Sequence, residues 1–211
     1  AQSCPSAALE MKPAVLDEKD KELFAYGLKI SSKGDIFEPY SIKGSQFRQP
    51  LLEFSAACAG CGETPYAKLL TQLFGDKEFW ANATGCSQAW GSAMPGIPYT
   101  VNNRGFGPAW TNSLFENNAE LCLGMYLSVK QRRALLKEKV EALAESCPSL
   151  KEACNQYLET FNDIDKSRQS TDALIAELQN SNSAESKDIL ASKDILSKKT
   201  FWMFGGDGWA Y

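Results

Sequence analysis

Histidine is absent from this 211-residue sequence. That removes His-based triads, the commonest proton shuttle and the usual catalytic zinc ligands together. Chemistry must then come from thiolates, carboxylates or a bound cofactor. No apolar run approaches the ~20 residues needed to cross a bilayer, so no membrane span is expected. Clusters of Lys and Arg are missing too, and a net charge of −4 argues against nucleic acid as a partner. A recognisable secretory signal is also missing, and the seven cysteines are odd in number and unevenly placed. Both facts argue against a disulfide framework. The chain opens AQSCPSAALEMKP, without Met, and stops at GGDGWAY straight after a glycine turn. Both ends read as cut, so the expectation is a piece of a longer polypeptide, in which a targeting segment could not be seen. What remains is 44% hydrophobic and 23% charged, ordinary values for a globular chain with one sizeable core.

The informative stretch is 51–91, where Cys58 and Cys61 form C-x-x-C and Cys86 follows 25 positions later. A C-x-x-C pair occupies one turn of backbone, so both sulfurs can reach one metal or cluster, and a third thiolate would close most of a coordination sphere. At the other end of the chain, Cys4-Pro5 resembles the close of the bacterial ferredoxin motif C-x-x-C-x-x-C-x-x-x-C-P; alone, it reads rather as a free thiol in a frayed terminus. Cys122, Cys147 and Cys154 sit at helical apolar spacing and are expected to be buried core thiols.

Taken in order, residues 14–50 are polar with scattered Gly and Pro and read as a connector. After a short apolar run at 51–56, CAGCGET makes a turn and Thr64-Pro65 opens a helix with Tyr66, Leu69, Leu70 and Leu73 on one face. Gly75-Asp76 ends it, and 78–83 reads as a strand leading into the TGC turn. Residues 91–111 form a long Gly/Pro/Asn-rich loop. From 112 to 146 the pattern is helical, through Leu114, Ala119, Cys122, Leu136, Val140 and Leu143, until Pro148 breaks it. A second helix over 149–162 carries the stripe Leu150, Ala153, Cys154, Tyr157, Leu158 and Phe161. Two shorter helices follow over 171–198, where SKDILA and SKDILS form a local duplication without functional meaning. TFWMF at 200–204 is a strand, and Gly206-Asp207-Gly208 after it places a carboxylate at a turn suited to a hard cation such as Mg²⁺. Strand, turn and helix alternate, which predicts an α/β layer fold with ligand turns beside strand and helix ends.

Three ungapped blocks, FSAACAGCGETPYAKLLTQLFGD, ANATGCSQAWGSAMPGIPYTVNNRGFGPAWTNSLFENNAE and FWMFGGDGWAY, closely resemble pyruvate:ferredoxin (flavodoxin) oxidoreductases in their C-terminal thiamine diphosphate-binding domain. The resemblance implies a mainly parallel sheet with flanking helices and a helical insertion at about 120–198. It divides the chain into the tail of a two-cluster ferredoxin-like domain (1–13), a connector (14–48) and an incomplete thiamine diphosphate-binding domain (49–211). It further implies that Cys58, Cys61 and Cys86 are three of the four ligands of a proximal 4Fe-4S cluster, the fourth lying beyond residue 211, and that Cys4 ligates a cluster of the ferredoxin domain. Glu63 and Cys86 would line the thiamine diphosphate site. Gly206, Asp207, Gly208 and Trp209 would match the diphosphate motif, with Asp207 on Mg²⁺. Ala56 and Gln88, where the family often has Gly and Ser, touch no expected ligand.

The implied activity is oxidative decarboxylation of pyruvate with coenzyme A, electrons passing singly through 4Fe-4S clusters to ferredoxin or flavodoxin. A full-length homodimer in the cytoplasm, or in an anaerobic energy organelle in a eukaryote, is the expected setting. The Glu that activates the aminopyrimidine and the substrate-binding arginine find no counterpart in these residues, so the chain alone is expected to be inactive and to hold no catalytic residue. Two alternatives stand beside this reading. One is another 2-oxoacid:acceptor oxidoreductase; the other is a non-enzymatic zinc or cluster module built on C-x-x-C…C. Zinc would be one ligand short without histidine, and a thioredoxin-like CAGC leaves Cys86 and the G-D-G turn unexplained.

Overall fold

A computed structural model describes residues 5–6, 8, 10–11, 18–30, 36–93, 96–181, 183–206 and 209. The chain divides into two compact units, Ala1–Lys33 and Gly34–Tyr211. In the first, α1 (Glu18–Leu28) forms where the sequence reads as connector, and it buries none of its residues. Its Lys, Glu and Leu content favours helix, and Lys21 pairs with Glu18 at 2.6 Å across one turn.

The second unit is built on a three-stranded sheet in the order β2-β1-β3, from β1 (Glu78–Asn82), β2 (Ala109–Asn112) and β3 (Thr200–Phe204). Both pairings are parallel, with Trp80 in register with Trp110 on one side and Trp202 on the other. This is the expected α/β class with a parallel sheet. β1, the middle strand, buries Glu78, Trp80, Ala81 and Asn82, as a strand covered on both faces must. β2 had no separate signal, because its four residues close a stretch whose Gly, Pro and Asn content reads as loop. The start of that stretch also continues the short helix α4 (Cys86–Gln88) as a π-helical turn, Ala89–Ala93.

Before the sheet come α2 (Ile42–Ser45), capped by the Ser41 hydroxyl accepting from the Gly44 N–H, and α3 (Thr64–Phe74) with Pro65 in its first turn. The predicted α3 face is corrected. Tyr66 is 69% exposed while Ala67 is wholly buried, because α3 lies on the indoles of Trp80 and Trp90, where only a small side chain fits. Ala67 and Thr71 face inward beside Leu70, as expected for Leu70, and Leu69 and Leu73 are half-buried, so the correction falls on Tyr66.

Between β2 and β3 the chain forms a helical layer of α5 (Asn118–Ser146), α6 (Lys151–Glu159), α7 (Ser167–Asn180) and α8 (Ala184–Leu190). α5 packs on β1 and β3, and α6 and α7 follow it in sequence and in space. Val140, Leu143, Leu150, Cys154, Tyr157, Leu174, Leu178 and Leu196 form one buried cluster. The α6 stripe matches its expectation throughout, with Ala153, Leu158 and Phe161 packed at its margin. Leu114 and Ala119, expected on the α5 stripe, are exposed, because a 3-10 turn at Phe115–Asn117 redirects the chain before α5 begins. Cys122 and Cys154 are buried as expected, whereas Cys147, at the end of α5, is only half-buried against the cluster. Among the described residues no helix is long and apolar enough to cross a membrane.

Candidate functional site

Parallel strands present all their C-terminal ends on one edge, and here that edge is tied together by Asn82. Its amide donates to the Ala83 carbonyl at 2.8 Å and to the Ser87 hydroxyl at 3.0 Å, while its Oδ1 accepts from the Trp110 indole at 3.2 Å. The Asn82 carbonyl accepts from the Ser113 N–H at 2.9 Å, and Thr84 donates to the Ser113 carbonyl at 2.8 Å. The Ala83 N–H then reaches the Phe204 carbonyl at 2.8 Å, so the turns following β1 and β3 leave the sheet side by side. A Cβ on Gly205 would stand 3.1 Å from the Ala83 Cβ and 2.9 Å from the Trp209 ring, a close approach only glycine permits. Cys86, exposed, opens α4 directly after the first of these turns; Gly206 and Trp209 belong to the second.

The C-x-x-C segment comes to the same region from α3. The turn at 75–77 reverses the chain between α3 and β1, and Ala67 packs on Trp80, so the N-terminus of α3 points toward the C-terminal end of β1. The Cys61 N–H donates to the Cys58 carbonyl at 3.1 Å, and Gly60 supplies the left-handed residue (φ 75°) that this tight turn requires. Cys58 is exposed and Cys61 half-exposed. Hydrogen bonds from the Thr64 and Glu63 backbone N–H groups hold the Cys61 thiol below its ordinary value, as first-turn amides favour a thiolate. Glu63 keeps its Oε1 buried without a hydrogen-bond partner among the described residues.

Behind this edge lie groups the sequence did not single out. Glu78 is 2% exposed with both carboxylate oxygens unpaired among the described residues, and burial pushes its carboxyl up to about 8. Tyr99 packs against Trp80 and Trp110, each at 6.0 Å between ring centroids, with its hydroxyl also unpaired among the described residues. Burial first, then the charges of Glu78 and Glu63, raise its phenol out of the working range. Asn82, Ser87 and Ser113 carry no motif; the β-run ending in Asn before a TGC turn was the only available hint.

Among the described residues no group of three or more Cys, Asp or Glu side chains is gathered as a metal-ligand set. Cys58, Cys61 and Cys86 are thus not gathered into a ligand cage among the described residues. The expectations for Cys4, Asp207 and Gly208 lie outside the described residues. The donor chemistry nonetheless fits the implied groups. Soft thiols are accessible in turns and one is favoured as thiolate, while a buried carboxylate oxygen lacks a donor and a glycine pair permits close backbone approach.

No protein-family model matches the chain. The pyruvate:ferredoxin oxidoreductase of Moorella thermoacetica is 53% identical over 184 residues, covering 83% of this chain and 16% of that protein. The pyruvate-flavodoxin oxidoreductase of Enterobacter agglomerans is 44% identical over 223 residues, covering 100% of this chain and 19% of its own length. The mitochondrial pyruvate dehydrogenase [NADP(+)] of Euglena gracilis is 43% identical over 215 residues, 99% of this chain and 12% of that protein. The chain thus spans less than a fifth of the length of the curated relatives it matches.

Proposed function

We propose, from the premise that this chain belongs to the family of pyruvate:ferredoxin and pyruvate-flavodoxin oxidoreductases, that it forms the cluster-and-cofactor segment of a pyruvate-oxidising enzyme. The overall reaction would convert pyruvate and coenzyme A to acetyl-CoA, CO₂, one proton and two electrons. The observation carrying this reading is the sheet edge itself, where the turn leading to Cys86 and the Gly205–Gly206 turn leave β1 and β3 side by side.

In that reading Cys58, Cys61 and Cys86 supply thiolates to a 4Fe-4S cluster, and Cys4 serves a separate cluster. The first-turn amides on Cys61 favour the charged sulfur a cluster needs. Glu63 offers its unpaired Oε1 as acceptor at the thiamine diphosphate site. Gly206 and Gly208 let backbone approach a diphosphate, Trp209 packs that turn against Gly205, and Asp207 supplies a hard carboxylate for Mg²⁺. Thiamine diphosphate, when bound, supplies the stabilisation of negative charge that decarboxylation of a 2-oxoacid requires. Trp80, Trp90, Tyr99 and Trp110 form the apolar backing beneath the edge.

The relatives' names give ferredoxin, flavodoxin or NADP⁺ as acceptor although all share this segment. Ferredoxin or flavodoxin is proposed here because most of the relatives' names carry it.

The test is anaerobic expression of the full-length protein, with iron and zinc determined and pyruvate-dependent reduction of a low-potential dye followed with and without coenzyme A. Iron with coenzyme A-dependent reduction is expected. Zinc in place of iron, or no reduction, would overturn the reading; reduction with another 2-oxoacid but not pyruvate would change the substrate.

A further inference from the structure

A cavity of about 370 Å³ lies between α5, the turn after α6 and the start of β3. Five of its lining residues are basic, Lys130, Arg133, Lys137, Lys198 and Lys199, and none is acidic. Its apolar wall carries three rings, Tyr126, Phe161 and Phe201, with Tyr126 edge-on to Phe201 at 5.6 Å. Its volume is within the ~300–1,000 Å³ of small-molecule sites.

Arg133 makes the floor. It is 6% exposed, and its guanidinium donates to the carbonyls of Ile195 at 3.0 Å, Phe161 at 2.6 Å and Leu196, with its carbon 4.3 Å above the Phe161 ring. Carbonyls satisfy hydrogen bonds but bring no net charge, so this buried cation has no counter-ion among the described residues. A buried, uncompensated charge is costly. Lys199, half-buried beside it, has its ammonium lowered to about 8 by burial and by Arg168 and Arg133, with Asp76 and Asp194 offsetting part of that. Lys130 rests 5.7 Å from the Tyr126 ring, and it, Lys198 and Lys199 form no ion pair among the described residues. Lys137 pairs with Glu141 at 3.4 Å on the open surface. The cavity is thus a preformed positive well with an aromatic side.

We propose that this cavity binds a nucleoside diphosphate, its phosphates on Lys130, Lys198 and Lys199 over Arg133 and its base against Tyr126 and Phe201. Multiply charged phosphate oxygens supply the anion the well lacks and take charge-assisted hydrogen bonds from several ammonium groups at once. The rings accept the planar base by stacking or edge contact. The proposal does not depend on pyruvate chemistry, since none of its residues lies among those assigned to the cofactor or cluster.

The test is calorimetric titration of the full-length holoprotein with ADP, pyrophosphate and adenosine, each with coenzyme A and thiamine diphosphate already saturating. ADP is expected to bind at one site per chain, with pyrophosphate and adenosine each at least about tenfold weaker. Lys130→Gln and Lys199→Gln should each weaken ADP about tenfold or more while pyruvate-dependent dye reduction stays unchanged. Lys130 is exposed, so its variant folds even if the Lys199 variant does not. Absence of saturable ADP binding, or binding indifferent to Lys130→Gln, overturns the site. Pyrophosphate as tight as ADP overturns the nucleotide class.

Discussion

Cys154 is fully buried on α6 in the cluster that holds Leu150 and Tyr157, while Cys58 and Cys86 are exposed in turns at the sheet edge. Burial, then the neighbouring Cys147, raises the Cys154 thiol; backbone amides lower that of Cys61. One residue type thus has opposite chemistry in the two halves of the unit. The helical layer surrounds Cys154 with apolar contacts, whereas backbone amides at the start of α3 favour the anion of Cys61. Position relative to a regular element, rather than the presence of cysteine, separates an accessible thiol from a packing residue.

The strongest way to break that contrast is to remove one thiol from each side. Cys61→Ala in the full-length protein should lose the proximal cluster's iron and essentially all pyruvate-dependent reduction. Cys154→Ala should keep its iron and lose only about 1–2 kcal/mol of stability in urea titration. Equal iron losses would mean that the two halves are not chemically distinct.

The next contrast sits within α3. Trp80→Ala, which empties the surface that Ala67 rests on, should cost about 3–5 kcal/mol. Tyr66→Ala, on the exposed face, should cost under about 0.5 kcal/mol. Comparable costs would reinstate the face suggested by the sequence.

Glu78 allows a pH test. An unfolded Glu titrates near 4.3, whereas burial puts this one at about 8 in the folded chain. The folded state holds the proton more tightly, so stability is full below the unfolded value and falls as pH rises through about 8. Glu78→Gln should therefore match the native protein near pH 4 and exceed it by roughly 2–4 kcal/mol above pH 8. Thermal unfolding across pH reads this directly, and a constant difference would remove the buried carboxyl from the account.

A modest effect belongs to the helical layer. Tyr157 is buried and donates to the Leu196 carbonyl at 3.2 Å. Tyr157→Phe should cost about 0.5–1.5 kcal/mol in urea titration and leave iron content untouched.

The legible parts were those with local signatures. The α6 stripe repeats every three to four residues, β3 is an apolar run before glycine, and Thr64-Pro65 announces α3. The C-x-x-C spacing likewise marks a turn whatever surrounds it. The Asn82 network could not be read this way, since its partners Trp110 and Phe204 lie 28 and 122 residues away. Nor could the cavity between α5 and β3, whose Arg133 reaches carbonyls 62 and 63 positions along the chain. The duplicated SKDIL makes the same point. Its first copy forms α8 with Ile189 at 0% exposure, and its second forms a 3-10 turn, Lys193–Ile195, because the chain must straighten there into β3.

By itself the sequence determined the family, because three ungapped blocks were specific enough to name relatives. Tertiary structure decided which thiols are accessible, which face of α3 is buried, and that the turns after β1 and β3 leave the sheet together. Periodicity is a property of neighbouring residues, whereas the shared edge of a parallel sheet exists only once strands distant in sequence have paired.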